Sequence, residues 1–557
     1  MHEKAPKPRT AARKALAMAR WIAERDAAMF LFFFLWILLW LNKYLDAPFH
    51  WDAVGYVSHH AYNIYENNLF PFITGDYNVG HPTLMFWALA AAWKIFGVSL
   101  AVSHIVIFLG GALFLLYTYK IGRRLGLGGA AFWTTLMMSL LPLVASQCAQ
   151  LQIDVPYAAF FTAASYYILR GDRPGRFIVF ATAMVLTKIT GVILLAPMAL
   201  FVLARSIRAS GVHDRRARLR RLAPLVVPLA ALALFLVLRY VYTGSVEEKF
   251  FGKKQTELSF DLERFLSVSP WHFWAILYHG HGYVLLGLAL AGVVLTACIP
   301  RLRKPASALG QTLPAPSGPN VSPGGFALYA VATVVIYLVP HVMRTLYGPI
   351  ARHYLVFFPL FAMAGGWALG RFWRWNRPVS VILYAAICAL LLFHWHPKYA
   401  EDVPFPFLKR FLTYDAVATG AREGETSFQW VDFARTIRRI ADYVEETYPE
   451  DVVIVAHYPE DVMFSRYYNG YVAHSRRVLP TYDVKQGVNM YDRTQFLEVL
   501  KRQKARLYVR SSKSTSSLDI EGILKEVGLR LVRRESLRAE FCELYEIPEP
   551  KETTKAP

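Results

Sequence analysis

Long apolar runs separated by short polar segments dominate the first 395 residues of the chain. A helix needs about 20 apolar residues to cross the hydrocarbon core of a bilayer. Runs near that length lie at residues 27–45, 101–119, 130–148, 155–169, 222–242, 282–299, 325–343, 354–370 and 378–395. The pattern therefore predicts a polytopic α-helical membrane domain over residues 27–395, preceded by a basic N-terminal segment, 1–26.

Two further apolar stretches are interpreted with the positive-inside rule, under which Lys and Arg collect in cytoplasmic loops. Pro82–Gly97 is short and carries two tryptophans and a lysine, so we interpret it as an amphipathic helix on the outer face. Phe177–Ala204 lies between two basic segments, so it is predicted to cross twice with its Thr187–Gly191 turn outside. About eleven spans result, with the N-terminus inside and the C-terminus outside.

The outer side then holds two long loops, 46–100 and 243–281, and everything beyond the last span. From about His396 onward charge becomes dense and mixed, and short β-branched runs alternate with amphipathic ones. Such alternation is typical of a small α/β domain, here predicted over 396–557 on the extracytoplasmic side. The predicted strands are 452–456, 505–510, 529–533 and 541–546, and the predicted helices are 432–447, 493–503 and 519–526.

Composition and charge narrow the class of protein. Hydrophobic residues make up 55% of the 557 residues and charged residues 18%, which argues against a soluble enzyme. Soluble domains carry about 25% charged residues. The net charge of +21 lies in the segments predicted to face inward, 1–26, 120–124, 170–176, 205–221, 301–325 and 371–377. The surplus is therefore an orientation signal rather than a nucleic-acid surface, since the basic runs alternate with spans.

The first outer loop carries candidate chemistry at both of its ends. Asp52 is a lone carboxylate among aromatic residues just after the first span, with Tyr56 four residues later. Asp52 is a candidate base for an acceptor hydroxyl, although an exposed loop acid or a helix N-cap fits equally. His81, in front of Pro82, either contacts a phosphate or caps the amphipathic helix.

Two ionisable residues flank later spans. Asp154 lies at the outer junction of the third and fourth spans, which places it close to Asp52 if both line one cavity. Because Pro156 follows at the start of a predicted helix, Asp154 is also a candidate N-cap. Lys188 has no acid within its own apolar hairpin, so it is a candidate ligand for a lipid phosphate. Snorkelling of the lysine toward water is the alternative.

A fourth cluster precedes the predicted 354–370 span. Arg344 is followed by Arg352, His353 and Tyr354 on the outer side. Arginine beside His and Tyr suits a bidentate contact with a phosphate. An anchor at the membrane interface is the alternative.

The order of these features resembles that of the GT-C superfamily. Six features follow one another along the chain. They are an Asp after the first span, His-Pro opening an aromatic helix, Gly-Arg-Arg-Leu-Gly at 122–126, an Asp at the third outer junction, Leu-Thr-Lys-Ile-Thr-Gly at 186–191 and Arg-His-Tyr before a late span. The resemblance is to transferases that use polyprenyl-phosphate sugars, of the protein mannosyltransferase and lipid A aminoarabinose transferase branch. The chain departs from the family pattern at two positions. Ala53 follows Asp52 where the family often has Asp-Glu, and Thr83 follows Pro82 where the family often has His-Pro-Pro.

The resemblance implies roles for these residues. Asp52 would be the general base, with Asp154 orienting the acceptor or tuning Asp52. Lys188 and Arg352, helped by His353, would bind the donor phosphate. Further donor or acceptor contacts would come from His81, Tyr56, Tyr354 and Arg344.

The implied protein is an inverting glycosyltransferase of the inner (cytoplasmic) membrane, with its active site facing the periplasm or outside. Its partners would be a polyprenyl-phosphate sugar, a lipid, glycan or protein acceptor, and membrane lipids. No cofactor is required; a divalent metal is compatible with the pattern but not indicated by it, since no Asp-x-Asp occurs at Asp52 or Asp154. A transporter or flippase of lipid-linked glycans, and a structural assembly protein, are the alternatives.

Overall fold

The computed structural model of the chain describes most of the membrane part and much of the C-terminal part. The described residues are 25–49, 53–70, 72–73, 81–210, 215–244, 270, 273, 276–277, 281–299, 323–344, 351–393, 428–449, 451–457, 464, 477–480, 482–483, 488–489, 491–512, 514, 522–523, 525, 528–537 and 540–548. The predicted N-terminal segment, the linker 301–325 for the most part, most of the loop 243–281 and the start of the C-terminal region lie outside them.

Helices make up the described membrane part. Through the first half they are α1 (Asp26–Leu41), α2 (His59–Glu66), α3 (Leu84–Phe96), α4 (Leu100–Arg124), α5 (Gly129–Ser139), α6 (Pro142–Ala149), α7 (Asp154–Arg170), α8 (Pro174–Thr187) and α9 (Gly191–Ser210). Then follow α10 (Arg215–Leu222), α11 (Val226–Thr243), α12 (Gly282–Cys298), α13 (Pro323–Arg344), α14 (Phe358–Trp375) and α15 (Arg377–Phe393). A π-helical turn, Ala53–Ser58, precedes α2, and a 3₁₀ helix, Ala351–Phe357, leads into α14.

Several helical segments have the length and composition of a membrane span. Those long and apolar enough by themselves, within the described residues, are Asp26–Tyr44, Leu100–Arg124, Leu219–Thr243 and Ala351–Trp375. Shorter apolar helices include α3, α8, α9, α12, α13 and α15. The chain is thus a multi-pass α-helical membrane protein, as predicted, while a count of about eleven spans stays a prediction.

The predicted span at 130–148 is wrong as a single helix. It consists of α5 and α6, whose axes differ by 65°. Pro142 begins α6, and a proline both lacks the N–H that would continue the preceding helix and forces the residue before it out of helical conformation. The break leaves α6 buried along its whole length, so that the loop after it carries Asp154 into the protein interior.

Close helix packing in the membrane part depends on small residues. A Cβ placed on Gly110 of α4 would lie 3.3 Å from Pro156 Cγ of α7, and one on Gly292 of α12 would lie 2.5 Å from Ala368 Cβ of α14. Because apolar side chains gain little from leaving lipid, such close backbone approach is a main source of attraction between membrane helices.

The C-terminal part contains a mixed sheet of five strands. The strands of the described residues are β1 (Val453–Ala456), β2 (Arg477–Pro480), β3 (Tyr482–Asp483), β4 (Val488–Asn489), β5 (Ala505–Ser511), β6 (Arg530–Leu537) and β7 (Glu540–Glu546). The large sheet has the order β2-β1-β5-β7-β6; β1 is parallel to β2 and β5, and β7 is antiparallel to β5 and β6. Helix α16 (Gln429–Thr447) packs against β6 and β7.

These strands and helices confirm most of the predicted C-terminal elements. Helix α17 (Arg493–Gln503) matches its predicted bounds because Asp492 and Gln495 form a capping box at its start. The predicted helix 519–526 falls largely outside the described residues. The predicted fold class, a helical membrane protein with a C-terminal α/β domain, is confirmed.

The C-terminal domain contacts the membrane part next to the end of α1. The Tyr44 ring stacks on Phe428, with 4.2 Å between the ring centroids. Arg435 Nη2 lies 2.8 Å from Asp46 Oδ1 and also donates to the Lys43 carbonyl oxygen. The chain that leads toward Asp52 is therefore joined to α16.

Replacing Gly292 by leucine is expected to destabilise the membrane domain. The added side chain would collide with Ala368, so α12 and α14 must separate, and overpacking of this kind costs about 1–3 kcal/mol. The measurement is the thermal unfolding midpoint of the detergent-solubilised protein. Gly287→Leu on the same helix is the control, since a Cβ there meets nothing within 4 Å. Equal midpoints for the two variants would contradict this account of the packing.

Candidate active site

Three helix ends bring charged residues together in the membrane domain. Asp154 is the first residue of α7, and Lys188 follows the last residue of α8 in an extended conformation that ends the helix. Arg352 lies in the 3₁₀ helix before α14. Helix ends carry backbone groups without helical partners and commonly bind ionic groups, so these are favourable places for charge in an apolar domain.

Asp154 is the centre of the cluster. Its Oδ1 accepts a hydrogen bond from Lys188 Nζ at 2.6 Å, and its Oδ2 lies 3.7 Å from Arg352 Nε. All three residues are buried, with relative exposures of 2%, 4% and 5%. Removing charges from water costs several kcal/mol per ion unless partners compensate, so the three charges depend on one another.

His81 belongs to the same neighbourhood, since it interacts electrostatically with the Asp154 carboxylate. Four residues singled out from the sequence therefore lie together: His81, Asp154, Lys188 and Arg352. The charges of Asp154, Lys188 and Arg352 sum to one net positive charge.

Two alternatives considered for this cluster are wrong. Asp154 does not cap α7: the N-cap position is Ile153, and the Asp154 carboxylate instead accepts from Lys188. Lys188 does not snorkel, because its side chain is only 5% exposed. Its anionic partner, Asp154, lies 34 residues earlier in the chain and therefore outside the hairpin that carries Lys188.

The other residues from the sequence lie beside the cluster or outside the described part. The His353 carbonyl oxygen accepts a hydrogen bond from the Tyr337 hydroxyl, and Tyr354 is buried with its ring stacked on Phe357. Asp52 lies outside the described residues. Tyr56, in the π-helical turn, and Arg344, at the end of α13, are described by their backbone only.

The chain that leads to Asp52 is nevertheless held in place. His104, on α4 and fully buried, donates from Nε2 to the Ala47 carbonyl oxygen at 2.9 Å. Phe49 packs against the same ring. The last described residues before Asp52 are thus fixed to α4, which packs directly against α7.

Sequence reasoning missed a set of buried hydroxyl groups next to the charges. Thr190 donates to the Tyr157 hydroxyl at 3.4 Å, and the Tyr157 hydroxyl also interacts with that of Tyr337. Their only signal in the sequence is proximity to charged residues, since Tyr157 follows Asp154 by three positions and Thr190 follows Lys188 by two. Within the described part of the chain, no group of three His, Cys, Asp or Glu side chains could hold a metal ion.

Asp154→Asn is expected to destabilise the protein strongly. A neutral amide would then face two buried cations, and removing one partner of a buried ion pair costs about 3–5 kcal/mol. The measurement is the unfolding of the purified protein by heat and by denaturant. As a control, Asp172→Asn breaks the more exposed pair with Arg170, which is worth about 0–1 kcal/mol. Similar losses for the two variants would be evidence against a charge-dependent core.

Part of the chain around this cluster matches a known family. The family model described as dolichyl-phosphate-mannose-protein mannosyltransferase matches residues 80–242, which include His81, Asp154 and Lys188. None of the curated proteins matches the chain.

Two crystal structures of ArnT from Cupriavidus metallidurans are similar to nearly the whole chain. The form bound to undecaprenyl phosphate has a TM-score of 0.54 at 14% identity, with 93% of this chain and 97% of that chain covered. The apo form has a TM-score of 0.53 at 15% identity, with coverages of 93% and 98%. At this identity the likeness establishes the fold. The family model over residues 80–242 and the fold shared with ArnT agree with the resemblance to the GT-C transferases that the sequence motifs indicate.

Proposed function

We propose that the chain transfers a sugar from a polyprenyl-phosphate donor to an acceptor hydroxyl at the outer face of the membrane, with inversion at the anomeric carbon. The observation that carries the proposal is the buried cluster of Lys188 and Arg352 around Asp154. The undecaprenyl phosphate in the ArnT structure supports a lipid of that class as the carrier.

The charge of the cluster suits such a donor. A sugar joined to a lipid through one phosphate is a phosphodiester with a single negative charge, which complements the net positive charge of the three residues. As the bond to the sugar breaks, further negative charge develops on the phosphate. Cations fixed beside that phosphate stabilise the transition state more than the ground state, which is how such groups accelerate a reaction.

The remaining roles come from the resemblance to the GT-C transferases. Asp52 deprotonates the acceptor hydroxyl, which then attacks the anomeric carbon in a single displacement while the carrier phosphate leaves. His81 and His353 assist at the phosphate, and Tyr56, Tyr354 and Arg344 contact donor or acceptor. Side-chain cations take up the leaving charge, so the reaction requires no metal.

We assign Asp154 the role of holding the two cations. A carboxylate neutralised by two cationic partners is a weak proton acceptor, which favours Asp52 as the base. Asp154 orients Lys188 and Arg352 toward the donor, and the acceptor then attacks a donor that these two cations hold in place.

The location of the cluster also argues against the transporter alternative. Transporter sites commonly lie near the middle of the membrane and are reached from both faces. Here Asp154 begins a helix and Lys188 follows the end of another, as expected for a site that opens to one side. We propose that this side is the periplasmic or outer face of the inner membrane, where the acceptor is a lipid such as lipid A, a glycan or a protein.

Lys188→Gln is expected to reduce sugar transfer at least about 100-fold, because removing one preorganised charge-stabilising group costs that much in rate. The measurement is transfer of radiolabelled sugar from polyprenyl-phosphate donors in membranes that carry equal amounts of each variant. Lys94→Gln is the matched control, because Lys94 is an exposed cation that contacts Asn68 on the protein surface. A Lys188→Gln enzyme with the wild-type rate would exclude the proposed phosphate site.

Asp52→Ala tests the assignment of the base. Loss of a general base lowers the rate by about 100- to 10,000-fold, and donor binding should persist because the cations are intact. Transfer and binding of undecaprenyl phosphate are measured on the same preparation. Transfer at the normal rate would show that another group accepts the proton.

A further inference from the structure

A cluster of buried hydroxyl groups lies between the segments that carry the two cations. Thr190 Oγ1 donates to the Tyr157 hydroxyl at 3.4 Å, and the Tyr337 hydroxyl donates to the His353 carbonyl oxygen at 3.2 Å. The Tyr157 and Tyr337 hydroxyls also interact with each other. Thr190 is two residues after Lys188, and His353 is the residue after Arg352.

We propose that Tyr337, acting with Tyr157, is a positioning residue that sets the placement of Arg352 relative to Lys188 in the donor phosphate site. The proposal rests on the proposed function, since it assumes that these two cations bind the donor. Neither tyrosine needs to touch the substrate.

The position of these hydroxyl groups supports this role. The Tyr337 hydroxyl donates its proton to the His353 carbonyl oxygen, and the Tyr157 hydroxyl accepts from Thr190. Both tyrosines are almost completely buried, so a broken link would leave a polar group without water to replace its partner.

The Tyr337 bond restrains Arg352 in a way that its ion pair with Asp154 does not. Lys188 is held by a short hydrogen bond of 2.6 Å to Asp154, whereas Arg352 Nε lies 3.7 Å from the same carboxylate. A contact of that length attracts through charge but does not fix direction, because hydrogen bonds require shorter distances. The link from Tyr337 to the adjacent peptide group restrains the backbone that carries Arg352.

The test compares two tyrosines on one helix. Tyr337→Phe removes the hydroxyl and keeps the ring. Tyr329→Phe is the matched control: Tyr329 is also on α13 and buried, and its hydroxyl bonds Ser165 of α7 at 2.7 Å. It lies two helical turns, about 12 Å along the axis, from Tyr337. Both variants lose a buried hydroxyl of α13 that is hydrogen-bonded to another element, and only Tyr337→Phe loses it beside the cations.

The readout is binding to the full-length protein in nanodiscs, with undecaprenyl phosphate as the probe and undecaprenol as the phosphate-free comparison. We expect Tyr337→Phe to weaken undecaprenyl phosphate binding roughly threefold to tenfold, the range for one hydrogen bond. Undecaprenol binding should not change, and Tyr329→Phe should bind both lipids like the wild type. Unfolding midpoints should fall by similar amounts in the two variants.

Wild-type binding by Tyr337→Phe, or an equal loss in Tyr329→Phe, would overturn the inference. Lys188→Gln in the same assay separates this failure from that of the proposed function. If both Tyr337→Phe and Lys188→Gln bind undecaprenyl phosphate like the wild type, the proposed phosphate site is wrong. If Lys188→Gln loses binding and Tyr337→Phe does not, only the positioning role of Tyr337 is wrong. Tyr157→Phe removes the hydroxyl that interacts with Tyr337 and is expected to weaken undecaprenyl phosphate binding as Tyr337→Phe does, which covers the case in which one variant does not fold.

Discussion

Burying the Asp154 carboxylate in a membrane domain is costly unless cations neutralise it, and this requirement determines which segments must meet. Lys188 and Arg352 satisfy it from two different places in the chain, so the ends of α7 and α8 and the 3₁₀ helix converge on one point. The helix break at Pro142 and the extended backbone at Lys188 bring the chain there. Charge neutralisation is thus a condition of the fold as well as a feature of the site.

The two cations are held by different means. Lys188 has a direct hydrogen bond to the carboxylate, while the segment of Arg352 is held by the Tyr337 hydroxyl, which donates to the His353 carbonyl oxygen. A flexible ammonium group adapts its direction to a partner, whereas a planar guanidinium must be aimed to bind a phosphate well. The stricter geometric need of arginine agrees with a hydrogen bond to the peptide group next to Arg352.

Much of this molecule could be predicted from its sequence because apolar run length and strand alternation are local signals. The helices, four of the strands, and Asp154, Lys188 and Arg352 as notable charges were accessible in this way. Their pairing was not, since Asp154 and Lys188 are 34 residues apart and no local pattern encodes the contact. The tyrosines were missed for a related reason: the chain has 31 of them, and only tertiary packing distinguishes Tyr157 and Tyr337. The bend at Pro142 was readable from proline chemistry, but the continuous apolar run concealed it.

The contact between Tyr44 and Phe428 bears on how this protein can be shortened. Both rings are almost completely shielded from solvent, at 3% and 0% exposure, because each covers the other. A truncation after α15 would uncover the Tyr44 ring and remove the arginine that binds Asp46, six residues before Asp52. The membrane helices alone are therefore an incomplete unit for expression, and the chain should be handled as one piece.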